Sequence, residues 1–212
     1  MTAQYPRHTT MADHWWWRPG WQVGTRFYAW HLTQEDQPAL VSLAGTLRGA
    51  VRAFSTLDPI PDPWLHMTLH GVGHVQDVEP ADRDQVVDKV TRRLRRLAPI
   101  SAAFGPSYVG REGVMLLPED PAPFAALVQE LRAGTAEALG VPEDEAPPFR
   151  PHVSIAYSNA PADAAPIRAA CEAAEPDEPA PATYRSVSLI RMHRDRRMYE
   201  WETVAEVPLG AV

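Results

Sequence analysis

The sequence has little cysteine and no long apolar run. Cys171 is the only cysteine among the 212 residues, so an intrachain disulfide and a four-cysteine zinc site are both excluded. No segment is long and apolar enough to cross a bilayer, and the N-terminus lacks the basic and apolar regions of a secretory signal. We therefore expect a cytoplasmic protein with no membrane partner.

The sequence also lacks two common enzyme motifs and an excess of positive charge. Neither the G-x-x-x-x-G-K-[ST] phosphate loop nor the G-x-S-x-G nucleophile turn occurs. With 20 Lys and Arg against 27 Asp and Glu, the formal net charge is −7, which argues against broad, non-specific binding to nucleic acid. A small basic cleft for one phosphate or one RNA end is compatible with this charge. The length permits one large domain or two lobes.

Two short patterns with the same order of residue types are the most informative feature that is present. They are His66-Met67-Thr68-Leu69 and His152-Val153-Ser154-Ile155, which begin 86 residues apart. Each alternates polar and apolar residues with the period of a strand, so the imidazole and the hydroxyl project from one side. Each also follows a proline-rich turn, at residues 59–63 and 147–151.

Two such strands facing one cleft would supply the groups that acid–base chemistry on a phosphoester needs. One histidine would take a proton from the attacking oxygen, and the other would give a proton to the leaving oxygen. The hydroxyls of Thr68 and Ser154 would bind the non-bridging oxygens, whose negative charge rises in the transition state. The catalytic candidates are therefore His66, Thr68, His152 and Ser154.

This pair of motifs resembles the signature of the two-histidine (2H) phosphoesterases. That family includes the bacterial RNA 2′-5′ ligase-like proteins and the 2′,3′-cyclic nucleotide phosphodiesterases, and it is marked by two H-h-[ST]-h motifs in which h is apolar. The resemblance runs from about Gln22 to Leu209. It implies a duplicated, bilobal α+β fold in which two antiparallel-sheet lobes with outer helices each supply one motif strand to a central cleft.

Residues 1–21 fit no periodic element, and we interpret them as a Trp-rich N-terminal extension to a single bilobal domain over 22–212. Trp15-Trp16-Trp17 and Trp21 flank Arg18-Pro19-Gly20 in this extension. Two interpretations of these indoles stay open. They cover an apolar patch of the domain, since large aromatic side chains carry much burial energy, or they form a base-stacking surface beside the cleft.

Hydrophobic periodicity and turn residues predict the elements of the domain. The order of strands and helices is that of a duplicated α+β unit. Strands are predicted at 26–32, 65–75, 100–104, 113–117, 152–157, 183–192 and 198–208, and helices at 38–54, 82–97, 124–139 and 163–174, the last with Asp163 as its N-cap.

His70 and Tyr157 are further candidates for substrate binding. On an unbroken strand, His70 shares a face with His66 and Thr68, which puts it at the cleft or, as an alternative, at a polar strand end. Members of the bacterial ligase-like group often carry an arginine close after the second motif, and here Ala156 and Tyr157 stand in that place. Strand alternation points Tyr157 to the opposite face, as a core residue. A ring at the cleft mouth that stacks a base is the alternative.

The turn that joins the last two predicted strands concentrates positive charge in an acidic chain. Arg191, Arg194, Arg196 and Arg197 all lie in or beside it. Such a turn would steer and bind an anionic substrate if it lies near the cleft, and otherwise it is a solvated hairpin tip. We take Arg194, Arg196 and Arg197 as substrate-binding candidates.

The resulting hypothesis is a metal-independent phosphoesterase without a cofactor. It would act as a monomer on a 2′,3′-cyclic phosphate or a 2′-5′ phosphodiester of an RNA end or a nucleotide, with His152 as base and His66 as acid, roles that exchange if the reaction runs as ligation.

One alternative is a non-catalytic module that binds an RNA end or nucleotide. A second is a metal-dependent hydrolase, because His66, His70 and His74 would align on a helix; Gly71 and Gly73 favour a strand instead, so we predict no metal site.

Overall fold

Two antiparallel sheets form the centre of the molecule, as a computed structural model that describes residues 5–143 and 148–210 shows. In chain order the elements are β1 (Thr10–Met11), β2 (Phe27–Thr33), α1 (Pro38–Val51), β3 (Leu57–Pro59), β4 (His66–His74), α2 (Pro80–Leu94), β5 (Ile100–Val109), β6 (Gly113–Pro118), α3 (Ala122–Leu139), β7 (Val153–Ser158), β8 (Ala162–Asp163), α4 (Ala164–Ala174), β9 (Ala180–Tyr184), β10 (Ser186–His193) and β11 (Glu200–Pro208). Single 3₁₀ turns occupy Asp62–Trp64 and Val75–Asp77.

Each sheet carries one motif. The four-stranded sheet has the order β11-β10-β2-β4, so the first motif lies on its edge strand β4. The five-stranded sheet has the order β3-β7-β6-β5-β9, and the second motif enters its strand β7. Helices α2 and α3 pack beside the four-stranded sheet, and α1 and α4 pack beside the five-stranded sheet. The predicted α+β fold of two antiparallel-sheet lobes with outer helices is confirmed.

The helices begin and end where their sequence signals predict, within a few residues. Pro38 opens α1, whose buried side chains recur every three or four residues and face the core. Gly140 ends α3 in the left-handed conformation, at φ 64°. The predicted N-cap of α4 is confirmed, because the Asp163 carboxylate accepts a hydrogen bond from the Ala165 amide at 2.9 Å.

The strand predicted at 183–192 is wrong, because the structure divides it into β9 and β10. Strand β9 pairs with β5 of one sheet, whereas β10 pairs with β2 and β11 of the other. The chain crosses between lobes at Arg185, and a continuous apolar pattern does not reveal a change of sheet partner. The final hairpin therefore consists of β10 and β11.

The N-terminal segment packs on the domain. Strand β1 pairs with β8, and the side chain of Met11 lies in the core. Of the second proline-rich turn, Pro147 lies outside the described residues. None of the helices in the described ranges is long and apolar enough to cross a membrane.

Candidate active site

A cleft of about 490 Å³ lies between the two sheets, a volume within the range of small-ligand sites. It brings together the two motifs, the N-terminal segment and the turn after β10. The lining residues are His14, Arg18, Trp21, Phe27, Ala29, His66, Thr68, Gly71, Glu112, Met115, His152, Ser154, Tyr157, Met192, Arg194 and Tyr199. All four residues predicted as catalytic are among them.

The same backbone hydrogen bond orients both motif histidines. His66 Nδ1 lies 2.8 Å from the carbonyl oxygen of Trp64, and His152 Nδ1 lies 2.8 Å from that of Arg150. A carbonyl oxygen only accepts, so Nδ1 carries the proton and donates it in each ring. The proline-rich turn before each motif places these carbonyls two residues upstream. Each neutral ring is thereby left with the Nε2 lone pair for chemistry in the cleft.

Burial favours the neutral form of both histidines. His66 is 7% exposed, and burial is the main cause that lowers its pKa to about 4, with a smaller lowering by the charge of His152 and an opposing effect of the Trp64 carbonyl. Burial also lowers the pKa of His152, which is only half-buried, against the effect of the Arg150 carbonyl. Each ring therefore stays ready to accept a proton near neutral pH.

Each motif hydroxyl has a hydrogen-bond partner outside its motif. Thr68 Oγ1 lies 3.1 Å from His31 Nε2, and Thr68 itself is exposed to the cleft. The Ser154 hydroxyl is buried and hydrogen-bonds to the phenol of Tyr157. Both hydroxyl groups are thus held in place before any ligand binds.

His31 is a third histidine of the site that sequence reasoning missed. It is fully buried on β2, and its ring stacks on that of His66 with centroids 4.4 Å apart and planes 3° from parallel. Burial lowers its pKa far below the usual value. Its Nδ1 has no hydrogen-bond partner in the described part of the chain. The pairing of β2 with β4 places His31 opposite Thr68, and no local pattern in the sequence marks that contact.

His70 does not line the cleft, because β4 contains a bulge. In the pairing of β2 with β4, Thr68 lies opposite His31 and His70 lies opposite Trp30, so Leu69 is an extra residue. A bulge of one residue reverses the alternation of faces. Gly71, rather than His70, therefore follows Thr68 along the cleft, and the expectation that His70 shares the face of Thr68 is corrected.

A second bulge turns Tyr157 toward the cleft. Ser154 and Ala156 lie opposite the adjacent residues Met115 and Val114, so Ile155 is the extra residue in β7. Tyr157 consequently lines the cleft together with Ser154, so the predicted opposite face is wrong. Its side chain is only 6% exposed and packs in the hydrophobic core, as the core interpretation predicts. His14 stacks on its ring at 4.2 Å between centroids, which covers one aromatic face.

His14 connects this wall through two hydrogen bonds. Its Nδ1 lies 3.0 Å from the Glu112 carboxylate and its Nε2 lies 3.2 Å from the Tyr199 hydroxyl. Burial, followed by the nearby charge of Arg18, lowers the pKa of His14 to about 3. The neutral ring therefore donates to Glu112 and accepts from Tyr199.

Of the three arginines predicted in the turn, only Arg194 lines the cleft. It is 3% exposed, and its Nη2 donates to the Trp16 carbonyl at 2.9 Å while Nη1 contacts the Tyr199 hydroxyl at 3.4 Å. Neither partner is charged, and Nε has no partner among the described residues. The guanidinium also lies over the rings of Trp15 and Trp17, at 5.4 and 5.3 Å from their centroids.

Arg196 and Arg197 point away from the cleft. Arg196 pairs with Glu200 through two hydrogen bonds of 2.7 and 3.1 Å. Arg197, which takes a φ of 54°, lies 3.5 Å from Asp13. Successive side chains of a tight turn diverge, so a run of like residues in sequence does not form one cluster in space.

The tryptophans of the N-terminal segment lie in different surroundings, so neither the apolar-cover nor the base-stacking interpretation applies to all of them. Trp15 is buried, and its Nε1 donates to Asp58 at 2.8 Å. Trp21 lines the cleft. Trp16 and Trp17 are about half exposed, at 50% and 49%.

The arrangement for a metal site at His66, His70 and His74 is not formed. These residues lie on a bulged strand rather than on a helix. Within residues 5–143 and 148–210, no three His, Cys, Asp or Glu side chains are grouped so that they would hold a metal ion.

Comparison with known proteins identifies relatives of most of the chain. The family model of the 2′-5′ RNA ligase superfamily matches residues 31–196, which include both motifs and Arg194. An RNA 2′,3′-cyclic phosphodiesterase of Thermus thermophilus is 34% identical over 149 residues, which cover 66% of this chain and 71% of the relative.

Two solved structures share the fold. The crystal structure of TT0787 of Thermus thermophilus has a TM-score of 0.60 at 23% identity and covers 89% of this chain and 100% of its own. Escherichia coli LigT in apo form has a TM-score of 0.61 at 13% identity, with 88% of this chain and 98% of its own covered. LigT has also been solved in complex with 3′-AMP and with ATP.

Proposed function

This chain belongs to the 2′-5′ RNA ligase superfamily, and we propose that it hydrolyses a 2′,3′-cyclic phosphate at an RNA end or on a nucleotide without a metal ion. It is an enzyme of the phosphoesterase and ligase-like type. The match to an RNA 2′,3′-cyclic phosphodiesterase supports the cyclic phosphate as substrate. A 2′-5′ phosphodiester is the related substrate, because it presents the same phosphorus between two ribose oxygens.

The observation that carries the proposal is the matched pair of imidazoles. His66 and His152 each donate Nδ1–H to a carbonyl two residues upstream, which leaves two Nε2 atoms for one cleft. A binding module has no need for two titrating groups with the same imposed tautomer. Proton transfer at two oxygens of one phosphorus needs both of them.

In the proposed reaction, one neutral imidazole takes a proton from a water molecule while the water oxygen attacks phosphorus. The bond from phosphorus to one ribose oxygen breaks, and the other imidazole, protonated at the start, gives its proton to that oxygen. A ribose hydroxyl and a phosphomonoester result. Each proton-transfer group contributes roughly 10²–10⁴ in rate.

The surroundings of the two rings favour His66 as the base and His152 as the acid. His66 is the more desolvated ring, with its pKa lowered to about 4, so it resists protonation and accepts a proton only as charge develops on the attacking water. His152 is half-buried and retains access to solvent protons. This assignment reverses the one made from the sequence.

Three groups are proposed to bind the phosphoryl oxygens. Thr68 and Ser154 hydroxyls donate to the two non-bridging oxygens, and Arg194 supplies the positive charge. A buried guanidinium with uncharged partners gains a charge-assisted hydrogen bond when an anion enters. Arg194 would thus supply the cation for which many ligase-like members use an arginine after the second motif.

His31 is proposed to fix the direction of the Thr68 hydroxyl. If His31 Nε2 carries the ring proton, it donates to Thr68 Oγ1, and the hydroxyl hydrogen is left to bind a phosphoryl oxygen. The distance of 3.1 Å between these atoms suits this hydrogen bond. His31 is therefore a positioning residue that acts through Thr68.

Hydrolysis of nucleoside 2′,3′-cyclic phosphates in the presence of EDTA tests the proposal. We expect turnover to a nucleoside monophosphate that survives EDTA, and chromatography identifies which ribose oxygen keeps the phosphate. Loss of all turnover in EDTA, restored by added metal, would contradict the metal-independent mechanism. The cytoplasmic location and the monomeric state stay predictions from the sequence.

A further inference from the structure

The N-terminal segment forms a wall of the cleft that the motifs do not explain. Arg18 and Trp21 line the cleft, and both lie between β1 and β2. The segment is fixed to the domain by Trp15 Nε1, which donates to Asp58, and by the Trp16 carbonyl, which accepts from Arg194. The N-terminal segment is therefore a fixed part of the cleft wall.

The cleft extends along β2 from the Thr68 hydroxyl toward this N-terminal wall. His31, Ala29 and Phe27 share one face of β2, and β4 places Thr68, Gly71 and His74 opposite them. Four residues of strand separate the level of His31 from that of Phe27, which is about 13 Å at about 3.3 Å per residue.

Small residues form the floor between these two levels. Ala29 and Gly71 lie opposite each other there, and both line the cleft. A Cβ at Gly71 would come within 2.9 Å of the Phe27 ring. The absence of that atom leaves room for the Phe27 ring, which packs directly on Gly71.

The far end of the cleft is aromatic. Trp21 and Phe27 contact each other with ring centroids 5.5 Å apart, and Trp21 also contacts His74 at 5.9 Å. The side chain of Met192 lines the cleft and lies on the strand that pairs with Phe27. Apolar rings of this kind stack nucleobases with little dependence on sequence. Arg18 is only loosely paired, with its Nη2 3.5 Å from Glu112.

We infer that Trp21 stacks the nucleobase next to the reacting nucleotide, so that the substrate is an RNA end of two or more nucleotides. The backbone levels of His31 and Phe27 are about 13 Å apart along the strand, which is farther than one nucleoside spans while its phosphate lies between the imidazoles. The second base of a longer end reaches Trp21, and its backbone phosphate passes Arg18. This inference rests on the proposed cyclic phosphodiesterase function.

The test compares kcat/KM for a nucleoside 2′,3′-cyclic phosphate with that for a dinucleotide that ends in the same cyclic phosphate. Wild type, Trp21→Leu and Trp21→Phe are measured. Leucine keeps apolar packing against Phe27 and His74, so a failure to fold does not confuse the result, and phenylalanine keeps a ring that stacks. Val23→Ala is the control in the same segment, because its side chain is 68% exposed and does not line the cleft.

We expect wild type to prefer the dinucleotide, and Trp21→Leu to reduce that preference by roughly 5- to 100-fold, the range of one base–aromatic stack. Trp21→Phe should restore most of it, and Val23→Ala should leave it within twofold. Equal use of both substrates by wild type, or an unchanged preference in Trp21→Leu, would overturn the inference while leaving the proposed function in place. No turnover of either substrate by wild type would instead overturn the proposed function, and the inference with it.

Discussion

The two motif strands present the same pair of groups in different surroundings. In both, the histidine donates Nδ1–H to a carbonyl two residues upstream at 2.8 Å. His66 is buried under the ring of His31 and the edge of Trp201, whose centroid lies 5.1 Å away. His152 is half-buried, and no aromatic ring stacks on it among the described residues. The duplicated fold repeats the backbone geometry and not the environment.

The proposed mechanism uses that difference to assign two roles to two chemically identical side chains. A buried imidazole without an anionic partner resists protonation, whereas one near solvent exchanges protons with water. The hydroxyls differ in the opposite sense, since Thr68 is exposed and Ser154 is buried. An acid–base pair needs opposite protonation states, and His152, the less buried ring, is the one proposed to carry the proton.

Replacement of either motif histidine should give the largest effect. His66→Ala and His152→Ala should each lower kcat by roughly 10²–10⁴, because each removes one proton transfer. Circular dichroism and thermal melting should show a retained fold. His8→Ala is the control, because its side chain does not line the cleft. A variant of either motif histidine with near wild-type kcat would contradict the shared role.

A substrate with a good leaving group should separate the two histidines. Uridine 3′-(4-nitrophenyl) phosphate expels a stable phenolate that needs no proton from an acid. In this substrate the ribose 2′-hydroxyl attacks phosphorus and the cyclic phosphate forms, which is the reverse of hydrolysis, so His152 becomes the base and His66 the acid. His66→Ala should therefore recover much of its lost rate on this substrate, and His152→Ala should not. Release of 4-nitrophenolate measures both. Recovery in His152→Ala alone would restore the original assignment of His152 as the base of hydrolysis.

Loss of Arg194 should weaken catalysis without removing it. Arg194→Gln should lower kcat/KM by roughly 10- to 100-fold, the range of one hydrogen bond to a charged group. Arg196→Gln is the matched control, because its side chain is 77% exposed and pairs with Glu200, and it should change kcat/KM less than twofold. Equal effects of the two variants would show that the whole turn, rather than one buried guanidinium, acts on the substrate.

Replacement of His31 should give the smallest loss of kcat, and a double-mutant cycle with Thr68 tests whether that loss passes through Thr68. His31→Phe keeps a ring against His66 and should lower kcat roughly 10-fold, less than the roughly 10²–10³ of losing one oxyanion donor outright. In a Thr68→Val background the same change should add almost nothing, since its effect passes through Thr68. His31→Gln, which keeps an N–H near the hydroxyl, should recover part of the rate. Fully additive losses would show that His31 does not act through Thr68.

The sequence was sufficient to predict the two motifs, their strands and the fold that carries them. The alternation of polar and apolar residues at His66 and His152 is local, and so are the capping signals at Asp163 and Gly140. Such features depend on near neighbours along the chain. The four groups that meet in the cleft were therefore predictable.

The rest of the cleft depends on tertiary structure. Single extra residues at Leu69 and Ile155 reverse the facing of His70 and Tyr157, and no local pattern marks them. His14 and His31 acquire their partners from elements 37 to 185 residues away in sequence. Only pairing register and packing reveal contacts of that kind.

The pH dependence of kcat/KM, measured in EDTA on a nucleoside 2′,3′-cyclic phosphate, tests the acid–base pair most directly. Below both pKa values the base is protonated, and above both the acid has lost its proton, so the profile is a bell. Burial lowers the pKa of His66 to about 4 and also lowers that of His152, which puts the maximum on the acid side of about pH 6.5, the usual histidine value. A bell with that maximum is the predicted result. A flat profile from about pH 5 to about 9 would contradict a two-histidine mechanism.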